Sequence, residues 1–184
     1  MDNLELLQLV YTRISHDLAG TVGAVYNGAE LLEEDLSFAQ ESANLIKSSA
    51  ENLMSRLKFF RQTFGLPKES EDTTANYLAT FSMPFSMDKE CVNNLQRSLI
   101  MCLTDYFYKG AQIQISENLI AAKGQALKDI QEFKNILLNA DGEKTAANAP
   151  TFYAHYMAKK LNCHFDIKQS ENTLQIRLDF ANTL

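Results

Sequence analysis

Near the start of the chain stands the run Ile14-Ser15-His16-Asp17-Leu18-Ala19-Gly20-Thr21-Val22-Gly23-Ala24. Apolar residues recur at steps of three and four on both sides of this run, from Leu4 to Leu36, and no proline interrupts them. This spacing predicts one long amphipathic helix with a continuous apolar stripe. His16 falls on the side opposite the stripe, so its imidazole is predicted to face solvent.

A second helical pattern runs from Ala39 to Phe64 and stops at Gly65, with Pro67 just beyond, which is typical of a helix end. Acidic residues at 33–35, followed by Ser37, mark a tight turn between the two patterns. Residues 1–66 are therefore predicted to form an antiparallel helical hairpin. Its first helix would be about 50 Å long at the rise of an α-helix.

Two helices alone cannot cover all the apolar residues of this hairpin. The predicted seam uses Leu4, Leu7, Tyr11, Ile14, Leu18 and their continuation, and it leaves Leu6, Leu9, Leu31 and Phe59 without cover. Pairing two hairpins into a dimeric four-helix bundle would cover them, so the sequence predicts a homodimer. The alternative is that the hairpin packs against the C-terminal half of its own chain.

The rest of the chain changes character after a polar linker at 67–74. Helical patterns are predicted at 75–80, 89–108, 127–138 and 150–161. An alternating strand is predicted at 112–116, its hairpin partner at 118–122, and two closing strands at 163–168 and 174–180. Helices and strands in two layers predict an α/β sandwich over residues 75–184. The fold class is thus α+β, with a hairpin followed by a sandwich.

Composition excludes several classes of function. The net charge of −6 opposes general nucleic-acid binding, which needs a basic surface. No apolar run approaches the roughly 18 residues that span a bilayer, and no secretion signal stands at the start. The three cysteines are far apart and form no CxxC pair, so neither a disulfide framework nor a zinc site is expected. These observations predict a cytoplasmic protein that binds neither nucleic acid nor membrane.

His16 and Asp17 together suit phosphoryl transfer. The Asp17 carboxylate would accept a hydrogen bond from Nδ1 of the imidazole, leaving the Nε2 lone pair free to attack phosphorus. Gly20 and Gly23 follow on the same face. Because a mid-helix glycine costs about 1 kcal/mol relative to alanine, two of them suggest close approach by a partner.

The hairpin turn would bring His16 opposite about residue 57 of the second helix. Arg13 and Arg56 lie at that level, together with Lys58 and Arg61, whereas acidic residues crowd the turn end. A cationic neighbourhood favours a phosphoryl group and an acidic partner. The alternative is an ordinary solvated helix face of mixed charge. The other two histidines, His155 and His164, are predicted to be structural or incidental.

These residues carry a resemblance to a known family. The chain resembles the ChpT-type histidine phosphotransferases of alphaproteobacteria in three segments: His16-Asp17-Leu18 with Val22-Gly23-Ala24, Asn27-Gly28-Ala29-Glu30-Leu31-Leu32, and Phe59-Phe60-Arg61-Gln62-Thr63-Phe64-Gly65. One departure is Gly20, where related hairpins often carry Ser, Thr or Asn. The resemblance implies a dimerising hairpin followed by a degenerate ATPase-like domain of the histidine-kinase kind.

The resemblance also implies a function. Phosphoryl groups would pass from the receiver domain of a hybrid histidine kinase to His16, and then to the receiver aspartate of a response regulator, without ATP. Asp17 would orient His16, and Gly20, Gly23 and Asn27 would lie on the receiver-docking surface. No cofactor is expected on this chain, and Mg²⁺ is expected in the receiver domain.

Two other functions remain open on the sequence. The first is an ATP-dependent sensor-type histidine kinase. It is disfavoured because the helix around Leu99 lacks a suitably placed asparagine, and because the turn at Asp141-Gly142 lacks a second glycine for a phosphate-cradling loop. The second is a non-catalytic dimeric adaptor, in which His16 is an incidental surface residue.

Overall fold

The computed structural model describes residues 1–65, 73–87, 92–107, 110–125 and 130–181, and it is α+β as predicted. In chain order the helices are α1 (Asn3–Glu34), α2 (Ala39–Phe64), α3 (Thr74–Ala79), α4 (Asn94–Tyr106), α5 (Ile130–Asn139) and α6 (Ala149–Lys160), with a 3₁₀ turn at Leu36–Phe38. The strands are β1 (Phe85–Met87), β2 (Gln112–Ile115), β3 (Leu119–Lys123), β4 (Cys163–Ser170) and β5 (Thr173–Phe180).

Helices α1 and α2 form the predicted antiparallel hairpin. The Asp2 carboxylate caps α1 by accepting a 2.7 Å hydrogen bond from the Glu5 backbone N–H, and α2 ends at Gly65 as the sequence indicates. The two helices pack tightly at Gly28, where an added Cβ would lie 2.8 Å from Cγ1 of Ile46. A larger residue at this position would have to displace the Ile46 side chain.

The strands form one mixed sheet in the order β1-β2-β3-β5-β4, in which β1 is parallel to β2 and the other neighbours are antiparallel. Strand β5 shows that one face of the sheet is covered: Leu174, Ile176 and Leu178 are buried, whereas the residues between them are exposed. Helices α4 and α6 pack on the buried face through β3 and β4. Among the described residues of the second half of the chain, helices and a five-stranded mixed sheet therefore form two layers.

The core of the sandwich extends into the hairpin. In α4 every residue from Leu99 to Leu103 is at most 1% exposed. Phe59 of α2 is fully buried in the same core and stacks on Tyr77, with ring centroids 3.8 Å apart and planes 6° apart. The end of α2 is thus held by the second half of the chain.

The predicted seam is wrong for the first turns of α1. Leu6 and Val10 are the buried residues there, and they pack in one cluster with Ile136 of α5 and Phe152 of α6. Three residues assigned to the seam instead lie in solvent: Leu4 (64% exposed), Leu7 (63%) and Tyr11 (71%). Helical spacing identified two apolar stripes, but only the tertiary contact with α5 and α6 decides which one is covered within the chain.

Leu6 and Phe59 were expected to be covered by a second hairpin. They are instead covered by residues of the same chain. The alternative, in which the hairpin packs on its own C-terminal half, holds for these residues.

The predicted helix at 89–108 begins later than expected, since Val92 and Asn93 are not helical. Asn93 caps α4 through reciprocal hydrogen bonds with Gln96, a capping box that the sequence analysis overlooked. The predicted segments 67–72, 89–91 and 127–129 lie outside the described residues.

Candidate functional site

His16 lies in the middle of α1, and its side chain is 85% exposed. It therefore projects into solvent, as the spacing of the apolar residues predicts. The next residue, Asp17, has a side chain that is only 12% exposed. One step of about 100° around the helix thus separates an accessible imidazole from a carboxylate at the protein interior.

The Asp17 carboxylate is held by Arg13. Nε of Arg13 donates a 2.9 Å hydrogen bond to Oδ2 of Asp17, one helical turn later. Nη2 of the same guanidinium donates a 2.6 Å hydrogen bond to Oδ1 of Asp105 in α4. The side chains of Arg13 and Asp105 are 13% and 12% exposed. An ion-pair cluster therefore joins the His16 helix to the second half of the chain.

The expected hydrogen bond between His16 and Asp17 is not formed. Nδ1 of His16 lies 3.6 Å from Oδ1 of Asp17, beyond the normal hydrogen-bond range. The carboxylate nevertheless faces the Nδ1 edge of the ring, and hydrogen bonds in unliganded sites are often long. The geometry brings the pair together and leaves the final contact to a small rotation of the imidazole.

The charge on Arg13 is stabilised by its partners. Burial opposes the charged form, but the carboxylates of Asp105 and Asp17 outweigh it and raise the pKa of Arg13 further above its usual range. Sequence analysis placed Arg13 on a partner-binding surface, whereas the structure places its guanidinium between two carboxylates of its own chain. Asp105 was missed altogether. The signal for it was a single charged residue in the otherwise uncharged segment from Leu99 to Tyr106.

The remaining predicted docking residues lie in the open. Gly20 and Gly23 would each have nothing within 4 Å of an added Cβ, and Asn27 is exposed. All three lie within about 40° of His16 around the axis of α1. They form one accessible strip along the helix, here called the His16 strip (His16, Gly20, Gly23 and Asn27).

Arg56 does not lie free at this surface. Its guanidinium carbon sits 4.5 Å from the ring centroid of Phe81, a cation–π contact at the end of α3. Lys58 is an exposed cation at the level of His16. Gly28 meets Ile46 across the hairpin, and His16 lies twelve residues before Gly28 just as Lys58 lies twelve residues after Ile46. The predicted level, about residue 57, was thus close, but Arg56 itself is used for packing.

Two cysteines do not offer a competing nucleophile. Burial raises the pKa of Cys102 to about 12, with Asp105 adding to the rise. Burial likewise raises the pKa of Cys163 to about 11. Both thiols therefore stay protonated near neutral pH, and a protonated thiol is a poor nucleophile.

His155 and Gly142 have structural explanations. His155 is buried, and its Nδ1 lies 2.8 Å from the backbone oxygen of Leu137. An added Cβ at Gly142 would collide with the side chain of Ile136. The Asp141-Gly142 turn therefore needs glycine for packing, without any nucleotide.

No metal or membrane feature stands out in the part of the chain that the structure describes. Its His, Cys, Asp and Glu residues do not gather in groups of three that could hold a metal ion. Within those same ranges, no helix combines the length and the apolar character needed to cross a bilayer.

Known structures place the fold. A solved bacterial phosphotransferase superposes with a TM-score of 0.78 and 22% identity over 97% of this chain and 98% of that chain. The chain shares its fold. At this identity the likeness establishes architecture, and the activity has to be argued from the site. No protein-family model and no curated protein matches the sequence significantly.

Two histidine kinases align much more loosely. The histidine kinase domain of the Erythrobacter litoralis EL346 blue-light activated kinase has a TM-score of 0.40 and 8% identity, over 92% of this chain and 95% of that chain. The Acinetobacter baumannii histidine kinase AdeS has a TM-score of 0.38 and 9% identity, over 91% and 98%. Scores this low carry no argument here.

Proposed function

We propose that this protein is a histidine phosphotransferase of the ChpT type, which moves phosphoryl groups between receiver-domain aspartates through His16 without using ATP. The observation that carries the proposal is the imidazole of His16. It is 85% exposed, stands beside a carboxylate held at the protein interior, and belongs to a fold shared with a bacterial phosphotransferase.

From this chain the reaction needs only the imidazole, which meets an incoming acyl phosphate. The Nε2 lone pair of His16 attacks the phosphorus of a receiver aspartyl phosphate. A P–N bond forms while the P–O bond to the aspartate breaks, and the electron pair leaves with the aspartate carboxylate. The Nδ1 proton stays on the ring, facing Asp17. The reverse step hands the phosphoryl group to the aspartate of a second receiver.

The receivers would dock along the His16 strip. Gly20 and Gly23 leave open space in which another backbone can approach the helix, and Lys58 supplies positive charge at the level of His16. The partners are the receiver domain of a hybrid kinase and those of response regulators. We place the Mg²⁺ that supports acyl-phosphate chemistry in the receiver, and we assign no cofactor to this chain.

The protein would work as a homodimer in the cytoplasm. An exposed apolar stripe runs along α1 on the side away from His16, and it includes Leu4, Leu7, Tyr11 and Val22. Monomeric proteins rarely leave large contiguous apolar surfaces in water. Pairing two such stripes would complete a four-helix bundle and leave both His16 strips accessible.

Two features support transfer without ATP. The segment of α4 from Leu99 to Leu103 is wholly apolar and buried, so it offers no side chain to a nucleotide. The glycine at 142 is explained by its contact with Ile136. The second half of the chain would then serve to hold α1 and α2 and to contact receivers.

The test is phosphotransfer from a phosphorylated hybrid-kinase receiver to the full chain. We expect label on the wild-type protein, none on His16→Gln, and a wild-type level on His164→Gln, the matched change at an exposed histidine of β4. Equal labelling of His16→Gln would contradict the proposal. Unchanged receiver dephosphorylation with His16→Gln would favour the adaptor. Label reaching His16 from ATP alone would favour a kinase.

A further inference from the structure

The cluster beside His16 contains more than the orienting carboxylate. Asp17, Arg13 and Asp105 form a chain of two hydrogen bonds, 2.9 and 2.6 Å long, in which all three side chains are at most 13% exposed. Asp105 comes from α4, 92 positions along the chain from Arg13. The carboxylate nearest His16 is therefore fixed by a residue of the second half of the molecule.

We propose that Arg13 and Asp105 are positioning residues, which hold the Asp17 carboxylate against Nδ1 of His16 and so select Nε2 as the atom that accepts phosphate. The proposal rests on the proposed function and deepens it. It assigns the second half of the chain a direct part in preparing the nucleophile.

The division of the Asp17 oxygens supports this role. Oδ2 is occupied by Nε of Arg13, and Oδ1 lies 3.6 Å from Nδ1 of His16. An exposed carboxylate on a helix moves freely among its rotamers. Here the bond to Arg13 fixes the rotamer, and the bond from Arg13 to Asp105 fixes the guanidinium. Asp17 alone, one residue from His16, would not stay in place.

The charges of the cluster also favour the tautomer of His16 in which Nε2 is free to accept phosphate. The negative charge beside the imidazole is that of the Asp17 carboxylate, whose Oδ1 lies 3.6 Å from Nδ1 of His16. That charge favours a proton on Nδ1, the nitrogen that faces it, and leaves the Nε2 lone pair outward. The nearby hydroxyl of Tyr77 in α3 stays neutral, because burial raises its pKa above its usual value, with Asp105 contributing. It hydrogen-bonds Thr104 of α4 at 3.3 Å.

Asp105→Asn is the informative substitution. It preserves the shape of the side chain and removes the charge that anchors Arg13. The Arg13 guanidinium can then shift together with Asp17, and the Asp17 carboxylate moves away from the imidazole of His16. We expect the share of Nδ1–H tautomer at His16 to fall, and phosphotransfer to slow about tenfold, as for other partners that orient a reactive imidazole.

The readout is the tautomer ratio from ¹⁵N NMR of the histidine side chains in the full chain, recorded at about pH 8. The chain has three histidines, and the spectrum of His16→Gln assigns the signal of His16. Receiver-dependent labelling is measured on the same samples. Asp166→Asn is the matched control, because Asp166 is an exposed carboxylate on β4 that takes no part in the ion pairs of Arg13 with Asp17 and Asp105.

A second variant keeps the proposal testable if Asp105→Asn fails to fold. Arg13→Lys keeps the charge, but an ammonium group cannot reproduce the forked contact with two carboxylates. It is expected to shift the tautomer in the same direction, while the signals of His155 and His164 report that the fold is intact. A wild-type tautomer ratio in both variants would overturn the positioning role. A shifted tautomer without any receiver transfer by the wild-type protein would instead refute the proposed function.

Discussion

At the scale of single residues, His16 is accessible to solvent whereas its neighbour Asp17 is held in place. The side chain of His16 is 85% exposed, and that of Asp17 is 12% exposed. A phosphoacceptor has to meet another protein, so it needs the first condition. An orienting carboxylate has to hold one rotamer, so it needs the second. Adjacent positions on a helix satisfy both conditions because they point in directions about 100° apart.

Phe59 is the residue whose loss should cost most in the hairpin. It is fully buried and stacked on Tyr77. Phe59→Ala should lower the free energy of unfolding by about 3–5 kcal/mol, through lost burial and the cavity that remains. Urea denaturation followed by circular dichroism measures this. Asn52→Ala, an exposed change on the same helix, should alter it by less than about 0.5 kcal/mol. A loss below about 1 kcal/mol for Phe59→Ala would contradict the shared core.

At the scale of elements, the glycines of α1 divide into two kinds. An added Cβ at Gly20 or Gly23 meets nothing within 4 Å, whereas at Gly28 it lies 2.8 Å from Ile46. Gly20→Ala and Gly23→Ala should each stabilise the protein by up to about 1 kcal/mol through helix propensity. Gly28→Ala should destabilise it, because the close crossing of α1 and α2 has to open. Thermal denaturation separates the two outcomes.

Phosphotransfer adds a second measurement to the same variants. If receivers dock along the His16 strip, Gly20→Ala and Gly23→Ala should slow transfer even though they raise the melting temperature. Opposite signs for stability and activity indicate a docking role. Full activity in both stabilised variants would show that the two glycines serve no partner.

The positions of the elements were largely predictable from sequence, because helix ends carry local signals. Gly65 followed by Pro67 predicted the end of α2, and the alternation at 112–116 predicted β2. The start of α4 was misplaced because the Asn93–Gln96 capping box was overlooked. The buried stripe of α1 was misassigned because two apolar stripes have equal helical spacing, and the choice between them depends on α5 and α6.

At the scale of the whole molecule, the hairpin and the sandwich are joined at several places. Arg13 bonds Asp105, Lys144 pairs with Glu5 at 3.0 Å, and Phe64 packs edge-on against Tyr153. The exposure of His16 followed from local periodicity, so it was predictable. The Arg13–Asp105 contact spans 92 positions, and no local pattern indicates which distant carboxylate meets a given arginine.

The proposed pairing of two chains is tested at this scale. Leu7 and Tyr11 are 63% and 71% exposed on the stripe of α1 that points away from His16. If this stripe pairs two hairpins, the double variant Leu7→Glu/Tyr11→Glu should be monomeric, because it buries charge at an apolar interface. Its fold should persist, since neither side chain is buried within the chain. Light scattering after size exclusion should give twice the chain mass of 20.8 kDa for the wild type and for the control Leu138→Glu, an exposed change on α5. A wild-type protein with the mass of one chain at micromolar concentration would refute the paired hairpin.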